Sequence, residues 1–347
     1  SEGRSLSDLW NALFFGRLVK RYLFLWLLLL GFGVIFIIWL AVKPDPLQRF
    51  IYEGFDTWIE IELPFRHQNL SSNLDALIQD LDRKWDRFNP NSEIWKINQS
   101  QEPIEISDQT CDLFLNAQKM HKLTNGYFNI FLGSLMDEWG FNNNPRIPSP
   151  DRIQVLTEQV ASSTIFINKE TKSAQRIGQG KIDLGGIAKG YLVDIIIIEL
   201  EKKQVSPALV NAGGTVFALG KKFRVGILHP RQESLVGVIE VKDQAVSTSG
   251  DYYRFFEQEG IRYYHIINPY TGYSSGYFSS VTVVYPNAAD ADAISTAVMA
   301  GGPKLIPIVE RRFPGVAIIA IQSDEKLIMN NAALKIFQKD STDKIHP

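Results

Sequence analysis

Two polar side chains suggest a place where a metal ion could bind. Asp292 and Thr296 lie four residues apart within residues 289–297 (ADADAISTA), so a helix would put them on one face, one turn from each other. A carboxylate and a hydroxyl placed in this way can ligate a hard cation such as Mg²⁺, with water or phosphate oxygens in its remaining positions. The alternative is helix capping by Asp290 or Asp292, with Thr296 merely half-buried. The spacing alone leaves both interpretations open.

A glycine-rich segment, residues 182–194 (IDLGGIAKGYLVD), has the composition of an anion-binding helix start. Glycines at a helix N-terminus let backbone N–H groups approach an anionic ligand, and Lys189 adds a positive charge one turn into the helix. An ordinary helix start with a salt bridge is the alternative, because such starts are common.

Three further segments place polar residues at turns. Residues 265–272 (HIINPYTG) are predicted to form the end of a strand followed by a turn, which puts His265 beside a loop. His265 is then either a proton acceptor or a structural histidine. Residues 247–252 (STSGDY) are a hydroxyl-rich turn that suits phosphate or ribose contacts, or simply a hairpin. At residues 211–214 (NAGG) the backbone must bend tightly or approach a ligand.

These segments must be positioned by an α+β fold. The apolar spacing predicts helices over 72–87, 107–124, 150–160, 187–203, 289–301 and 329–338. Strands are predicted near 55–62, 163–168, 206–211, 223–228, 235–241, 262–268, 278–285 and 315–322. Because the strands between 206 and 285 leave no room for helical crossovers, we expect one mixed, largely antiparallel sheet with packed helices.

The chain begins with features of a membrane anchor. Residues 22–42 contain no charged residue and are long enough to span a bilayer as a helix. A buried core helix and a cleaved signal peptide are the alternatives, but the stretch is too long and too uniformly apolar for either. Basic residues are in excess within residues 1–21, a predicted amphipathic segment, which places that side in the cytoplasm. A linker follows over 43–49, then one domain over 50–340 and a tail over 341–347.

Composition excludes several classes of protein. The 347 residues are 45% hydrophobic and carry a net charge of -2, which excludes a disordered chain and offers no general attraction for nucleic acid. The single cysteine, Cys111, excludes an intrachain disulfide and a cysteine-based metal cluster.

The order and spacing of these motifs resemble the ApbE-type flavin transferases (FAD:protein FMN transferases) over about residues 50–340. The matching stretches are 88–98, 124–128, 133–141, 182–194, 211–214, 247–252, 265–272 and 291–297. The resemblance implies an α+β domain that binds FAD, splits its pyrophosphate, transfers FMN to a Thr or Ser hydroxyl of a target protein and releases AMP.

The resemblance also implies roles for individual residues. Mg²⁺ would be held by Asp292, by Thr296 and by the backbone carbonyl of Gly186, with Asp292 also counted as catalytic. His265 would lie near the acceptor hydroxyl. FAD would be bound by Phe55, Phe88, Tyr127, Phe128, Asn129, Asp183, Lys189 and Ile266.

Three departures from the family pattern bear on activity. Phe55-Asp-Thr57 stands where the family has Met-Gly-Thr, Phe128-Asn129 where it has Phe-Asp, and Asn268-Pro-Tyr-Thr-Gly272 where it has Asp-Pro-Arg-Thr-Gly. An Asp-to-Asn change keeps an acceptor but removes a charge, so FAD binding is expected to survive better than turnover.

Three functions remain open at this stage. The first is a transferase in a bacterial inner membrane, with its domain in the periplasm, that flavinylates an extracytoplasmic redox protein. The second is a non-catalytic FAD-binding or structural subunit of a larger membrane complex. The third is an FAD pyrophosphatase with water as the acceptor.

Overall fold

The protein is described by a computed structural model at Trp26, residues 45–141 and residues 143–339. The predicted amphipathic segment and membrane span (1–42) therefore lie outside the described residues apart from Trp26, and so does the predicted tail. Among the described residues, no helix combines the length and the apolar composition that a bilayer crossing needs. The anchor remains a prediction from the sequence.

The strands and helices of the described residues are labelled here in chain order. The strands are β1 (Leu47–Gly54), β2 (Thr57–Pro64), β3 (Ile104–Glu105), β4 (Thr164–Asn168), β5 (Ser173–Ile177), β6 (Ala208–Ala212), β7 (Thr215–Leu219), β8 (Phe223–Leu228), β9 (Leu235–Val241), β10 (Gln244–Gly250), β11 (Phe255–Gln258), β12 (Ile261–Tyr264), β13 (Phe278–Tyr285), β14 (Ala317–Gln322), β15 (Leu327–Met329) and β16 (Phe337–Lys339). The helices are α1 (Ser71–Trp85), α2 (Glu93–Gln99), α3 (Asp108–Leu123), α4 (Gly133–Trp139), α5 (Pro150–Ser162), α6 (Ala188–Lys202), α7 (Ala288–Gly301), α8 (Ile306–Arg312) and α9 (Asn331–Leu334). Short 3₁₀ turns cover Phe65–Leu70 and Pro303–Leu305.

The largest sheet of the described residues has eight strands in the order β1-β2-β6-β7-β10-β13-β14-β15. Every neighbouring pair in it is antiparallel. Smaller sheets are β3-β5-β4, β16-β9-β8 and the hairpin β11-β12. The α+β class and the antiparallel sheet are confirmed, and no parallel pair occurs among these strands.

Strand β14 of the large sheet is apolar on both faces because each face is covered. Along β14, Ile318 and Ala320 belong to the main core, which also contains α6 and α7, whereas Ala317 and Ile319 belong to a second core beneath β8, β9 and β16. Alternate side chains of a strand point to opposite faces, so one apolar run supplies both cores. The large sheet is therefore a middle layer with helices on one side and a small sheet on the other.

The first strand pair differs from the prediction of a strand over 55–62. β1 begins at Leu47, inside the predicted linker, and pairs with β2 through a tight turn at Phe55 and Asp56, both with φ of 55°. Such turns normally carry Asn-Gly or Asp-Gly, so Phe-Asp gives no turn signal in the sequence. Phe55 therefore lies in a hairpin turn rather than in a strand.

Other differences from the prediction arise at strands and helices that are too polar or too short to give a clear sequence pattern. Ser247–Gly250, predicted as a turn or hairpin, lie in β10, where hydroxyl side chains replace the usual apolar ones. The strand predicted over 262–268 ends at Tyr264, and the helix predicted over 329–338 is only α9, which is capped by the side chain of Asn330. The seven-residue helices α2, α4 and α8 were not predicted, because two turns are too short to show an apolar period.

Candidate functional site

A cavity of about 500 Å³ opens beside the start of α6 and one face of α7. All twelve residues that the sequence assigned to a site line it, together with residues of β10 and of the turns after β1, β6 and β12. The twelve are Phe55, Phe88, Tyr127, Phe128, Asn129, Asp183, Gly186, Lys189, His265, Ile266, Asp292 and Thr296. Segments that are far apart in sequence, from Phe55 to Thr296, thus meet around one space large enough for an organic ligand.

The floor of the cavity is a cluster of oxygen atoms. Asp292 is 5% exposed, and its Oδ1 accepts a 3.4 Å hydrogen bond from the Ser247 hydroxyl, which also contacts the Thr215 hydroxyl at 2.9 Å. One turn along α7, Thr296 Oγ1 lies 3.3 Å from the hydroxyl of Ser249. Ser247 and Ser249 are two apart on β10, so both point from one face of the strand toward α7.

The crossing of α6 over α7 fixes this floor. Gly190 donates its backbone N–H to Asp292 Oδ2 at 3.1 Å. A Cβ at Gly190 would lie 2.8 Å from the Cα of Ala289, so only glycine allows the two helices to come this close. The glycine in the middle of the 182–194 motif is therefore required for packing, and its N–H orients the carboxylate.

The capping interpretation of Asp290 and Asp292 is wrong, because another residue caps α7. Asp194, on α6, accepts hydrogen bonds from the N–H groups of Ala288 and Ala289 at 2.7 and 2.9 Å. Burial raises the pKa of Asp194 to about 6, although these two bonds oppose the shift. Asp290 instead forms a 2.7 Å ion pair with Lys119. Asp292 is left facing the cavity.

The oxygen atoms at the floor suit a hard cation as ligands. No Lys or Arg among the described residues forms an ion pair with Asp292, although it is a buried carboxylate, and buried charges are normally paired or bound to metal. Gly186 lies against Thr296, since a Cβ there would be 3.2 Å from Thr296 Oγ1. In the described part of the chain no three His, Cys, Asp or Glu side chains form a metal cluster. A cation here would therefore be held by hydroxyl, carbonyl and ligand oxygens besides Asp292, which is the environment that Mg²⁺ prefers.

The glycine-rich segment contains the salt bridge of the ordinary helix start, and the anion-binding interpretation stays a prediction. Asp183 accepts the N–H of Gly185 at 2.8 Å and forms a 2.8 Å ion pair with Arg87 Nε, which is the salt bridge of the ordinary helix start. Lys189 Nζ donates to the Gly185 carbonyl at 3.0 Å and lies at the cavity wall, where an anion could bind. Arg87 was missed by the sequence analysis. Its position directly before Phe88, whose ring lies 4.2 Å from the guanidinium, was the available signal.

His265 is held by the backbone directly after β12. Its N–H and its Nδ1 both lie near the carbonyl oxygen of Arg254, at 3.0 and 3.3 Å. Because a carbonyl can only accept, Nδ1 carries the proton and Nε2 is left as an acceptor. Burial, together with the positive charges of Arg254 and Lys189, lowers the pKa of His265 to about 4. The ring is therefore neutral at pH 7.

The mouth of the cavity is aromatic and charged. Phe55 N–H donates to Asp82 Oδ1 at 3.0 Å, and the next residue, Asp56, pairs with Arg254 at 3.2 Å across the opening. Phe88 is 56% exposed. Asp56, Asp82 and Arg254 line the cavity but were not assigned to a site from the sequence. Asp56 and Arg254 lie on loops and Asp82 lies on α1, and a single charged residue in any of these places gives no local signal of a site.

An inner wall of the cavity is formed by Tyr127, Phe128 and Asn129. The Phe128 N–H donates to the buried Thr124 hydroxyl at 3.0 Å. Asn129 Oδ1 accepts the N–H of Phe131 at 2.9 Å, a local bond that an aspartate would make equally well. The Asp-to-Asn departure therefore leaves the backbone geometry intact.

Comparisons with known proteins agree with one another. A model of the ApbE family matches residues 55–320. The chain is 31% identical over 248 residues to an FAD:protein FMN transferase of Vibrio cholerae serotype O1. The aligned region covers 68% of this chain and 74% of that protein. The chain is also 31% identical over 249 residues to an FAD:protein FMN transferase of Treponema pallidum, which covers 65% and 68%. Among solved structures, the ApbE protein of Thermotoga maritima superposes with a TM-score of 0.77 at 27% identity and covers 84% of this chain and all of that one.

Proposed function

Since the chain belongs to the ApbE family, we propose that it is an FAD:protein FMN transferase. It would cleave the pyrophosphate of FAD and attach FMN to a Thr or Ser hydroxyl of a second protein, with release of AMP. One observation carries this proposal. A single cavity joins aromatic walls, a lysine and a buried oxygen cluster whose carboxylate, Asp292, forms no ion pair with a Lys or Arg among the described residues.

FAD would be bound by complementary parts of the cavity. The aromatic side chains of Phe55, Phe88, Tyr127 and Phe128 would contact the flavin ring, whose large flat faces pack well against aromatic groups. Ile266 and Asn129 would complete this pocket. Lys189 and the backbone at the start of α6 would face the pyrophosphate, and Asp183, held by Arg87, would contact the ligand at the same end.

The buried floor would hold Mg²⁺. Asp292, Thr296 and the carbonyl oxygen of Gly186 would be its protein ligands, which fits the oxygen-only donor set found there. Such an ion neutralises the charge of a pyrophosphate and aligns its oxygens, which is the main requirement of phosphoryl-group chemistry. The crossing at Gly190 would keep the carboxylate oriented before the ligand arrives.

His265 would assist the acceptor hydroxyl. The hydroxyl oxygen attacks the phosphorus on the FMN side, the bridging P–O bond breaks, and AMP leaves with the bridging oxygen. The proton of the hydroxyl passes to an acceptor, for which neutral His265 offers its free Nε2. The low pKa of His265 keeps the ring unprotonated, with Nε2 available as an acceptor, over the whole physiological range.

The location and the target also belong to this proposal. We place the domain on the extracytoplasmic face of a bacterial inner membrane, anchored by residues 22–42, with a redox protein as its target. The support is the uncharged stretch and the basic residues before it in the sequence.

The experiment is incubation of the protein with FAD, Mg²⁺ and a target domain that carries an acceptor Thr. Flavin fluorescence that stays with the target after denaturation is the expected result. Free FMN and AMP without a labelled target would indicate a pyrophosphatase instead. Bound but unchanged FAD would indicate a non-catalytic flavin-binding subunit and would exclude both enzymatic functions.

A further inference from the structure

Tyr270 contacts the cavity wall from behind without lining the cavity. Its hydroxyl donates a 2.5 Å hydrogen bond to the carbonyl of Asn125, and its ring lies edge-to-face against the ring of Tyr127 with centroids 5.0 Å apart. Tyr127 is a cavity residue and Tyr270 is not. One side chain thus holds both the backbone and the ring of the wall.

The segment that Tyr270 holds is a tight turn. Asn125 and Gly126 both have positive φ, of 51° and 76°, and Gly126 packs so closely on Tyr270 that a Cβ there would lie 2.5 Å from the Tyr270 hydroxyl. Asn and Gly are the residues that adopt positive φ most readily, so the turn has a defined shape against which Tyr270 packs. On the outer side, Arg312 donates to Asn125 Oδ1 at 2.6 Å. Tyr270 is the contact that links this turn to the cavity side.

Tyr270 also belongs to the segment that carries the opposite wall. His265 and Ile266 line the cavity just upstream on the same segment, and the segment is fixed at its far end, where Trp139 Nε1 donates to the Gly272 carbonyl at 2.9 Å. The Tyr270 backbone N–H is held by Asn268 Oδ1 at 2.9 Å. The position of its ring relative to His265 and Ile266 is therefore set locally.

We propose that Tyr270 is a positioning residue for FAD: it fixes the Tyr127 ring against the flavin and sets the spacing between the Tyr127 wall and the His265 wall. The inference rests on the proposed function for the identity of the ligand. Because Tyr270 acts through Tyr127 and lies away from Asp292 and Thr296, its loss weakens FAD binding and leaves the chemical step largely unchanged.

The test is titration of FAD, by flavin fluorescence, into the 347-residue protein and its variants. An aromatic pair and a hydroxyl–carbonyl bond are each typically worth a factor of about two to ten in an equilibrium constant. Tyr270→Phe, which keeps the ring, should weaken binding about threefold, and Tyr270→Leu about tenfold. Turnover at saturating FAD should change less than about threefold in both. Tyr277→Phe, at a comparably exposed tyrosine (52% against 59%), is the control and should bind as the unaltered protein does.

A double-mutant cycle separates positioning from general loosening of the fold. In a Tyr127→Ala background, Tyr270→Leu should weaken FAD binding clearly less than the tenfold expected in the unaltered protein, because the ring that it positions is gone and only its bond to the Asn125 carbonyl is lost. Equal losses in both backgrounds, or unchanged affinity in Tyr270→Leu, would overturn the inference while leaving the proposed function intact. Failure of the unaltered protein to bind FAD would instead overturn the proposed function, and the inference with it.

Discussion

The floor and the mouth of the cavity are built in opposite ways. At the floor, Asp292 is 5% exposed and is oriented by an N–H from a second helix and a hydroxyl from a strand. At the mouth, the carboxylate of Asp56 is 77% exposed and meets Arg254 in an ion pair between two loops. The floor is fixed by tertiary packing, whereas the mouth depends on contacts that water can replace.

The three departures from the family pattern lie outside the floor. Phe55-Asp56 is a turn at the mouth, Asn129 lies in the inner wall, and Tyr270 lies behind that wall. A mouth can vary because each of its contacts contributes little, but a change at the floor disturbs several buried groups at once.

The largest effect should follow from a change at the floor. Asp292→Ala removes the buried carboxylate that would hold the metal, so flavin transfer should fall more than about 100-fold. Single-turnover kinetics at several Mg²⁺ concentrations measure this. Asp290→Asn, on the same helix but paired with Lys119 outside the cavity, is the matched control and should transfer flavin normally. Full activity in Asp292→Ala would refute the assigned metal site.

The second-largest effect on flavin transfer is expected from a change at His265. His265→Gln removes the proton acceptor, and transfer should fall about 100-fold while FAD affinity changes little. Since the pKa of His265 is lowered to about 4, activity of the unaltered protein should be level between about pH 5 and pH 7 and should be lost as the pH falls toward 4. A half-maximal rate near pH 6.5, the ordinary pKa of histidine, would contradict the burial described here.

Asp194, which links α6 to α7, should make the free energy of unfolding depend on pH. Its pKa is about 6 in the folded protein against 3.8 when unperturbed, so the folded state binds the proton more tightly between these values. Its contribution to stability is therefore greatest at low pH and decreases as the pH rises from about 4 to about 6. Asp194→Asn lacks this titration. In denaturant unfolding, the free energy of the unaltered protein minus that of Asp194→Asn should fall between pH 5 and pH 7. A difference that rises over this range would show that Asp194 is not buried as described.

The smallest effect is expected at the mouth. Exposed ion pairs typically contribute about 0–1 kcal/mol, so Asp56→Asn should change FAD affinity less than about threefold. Fluorescence titration at low and high salt measures it. A loss as large as that at the floor would mean that the mouth is as rigidly built as the floor and would remove the contrast between them.

The sequence predicted the floor better than the mouth, for physical reasons. Asp292 and Thr296 share a helix face, and helical period is visible in a sequence. The capping residue was not visible in the same way, because Asp194 reaches α7 from another helix. The Phe55-Asp56 turn could not be predicted because neither residue is typical of such turns. Strand β10 was not predicted at Ser247 and Ser249 because these polar residues are not typical of a buried strand. Contacts such as Arg87 with Asp183 depend on the assembled fold and leave no local pattern.

The most direct measurement counts products. The unaltered protein and Asp292→Ala are each incubated with FAD, Mg²⁺ and the acceptor domain, and mass spectrometry of the acceptor is paired with chromatography of the nucleotides. A transferase must release one AMP for each FMN that becomes attached to the acceptor, and neither product should accumulate with Asp292→Ala. AMP formed without attached FMN, or equal amounts of both products from the two proteins, would contradict flavin transfer at this cavity.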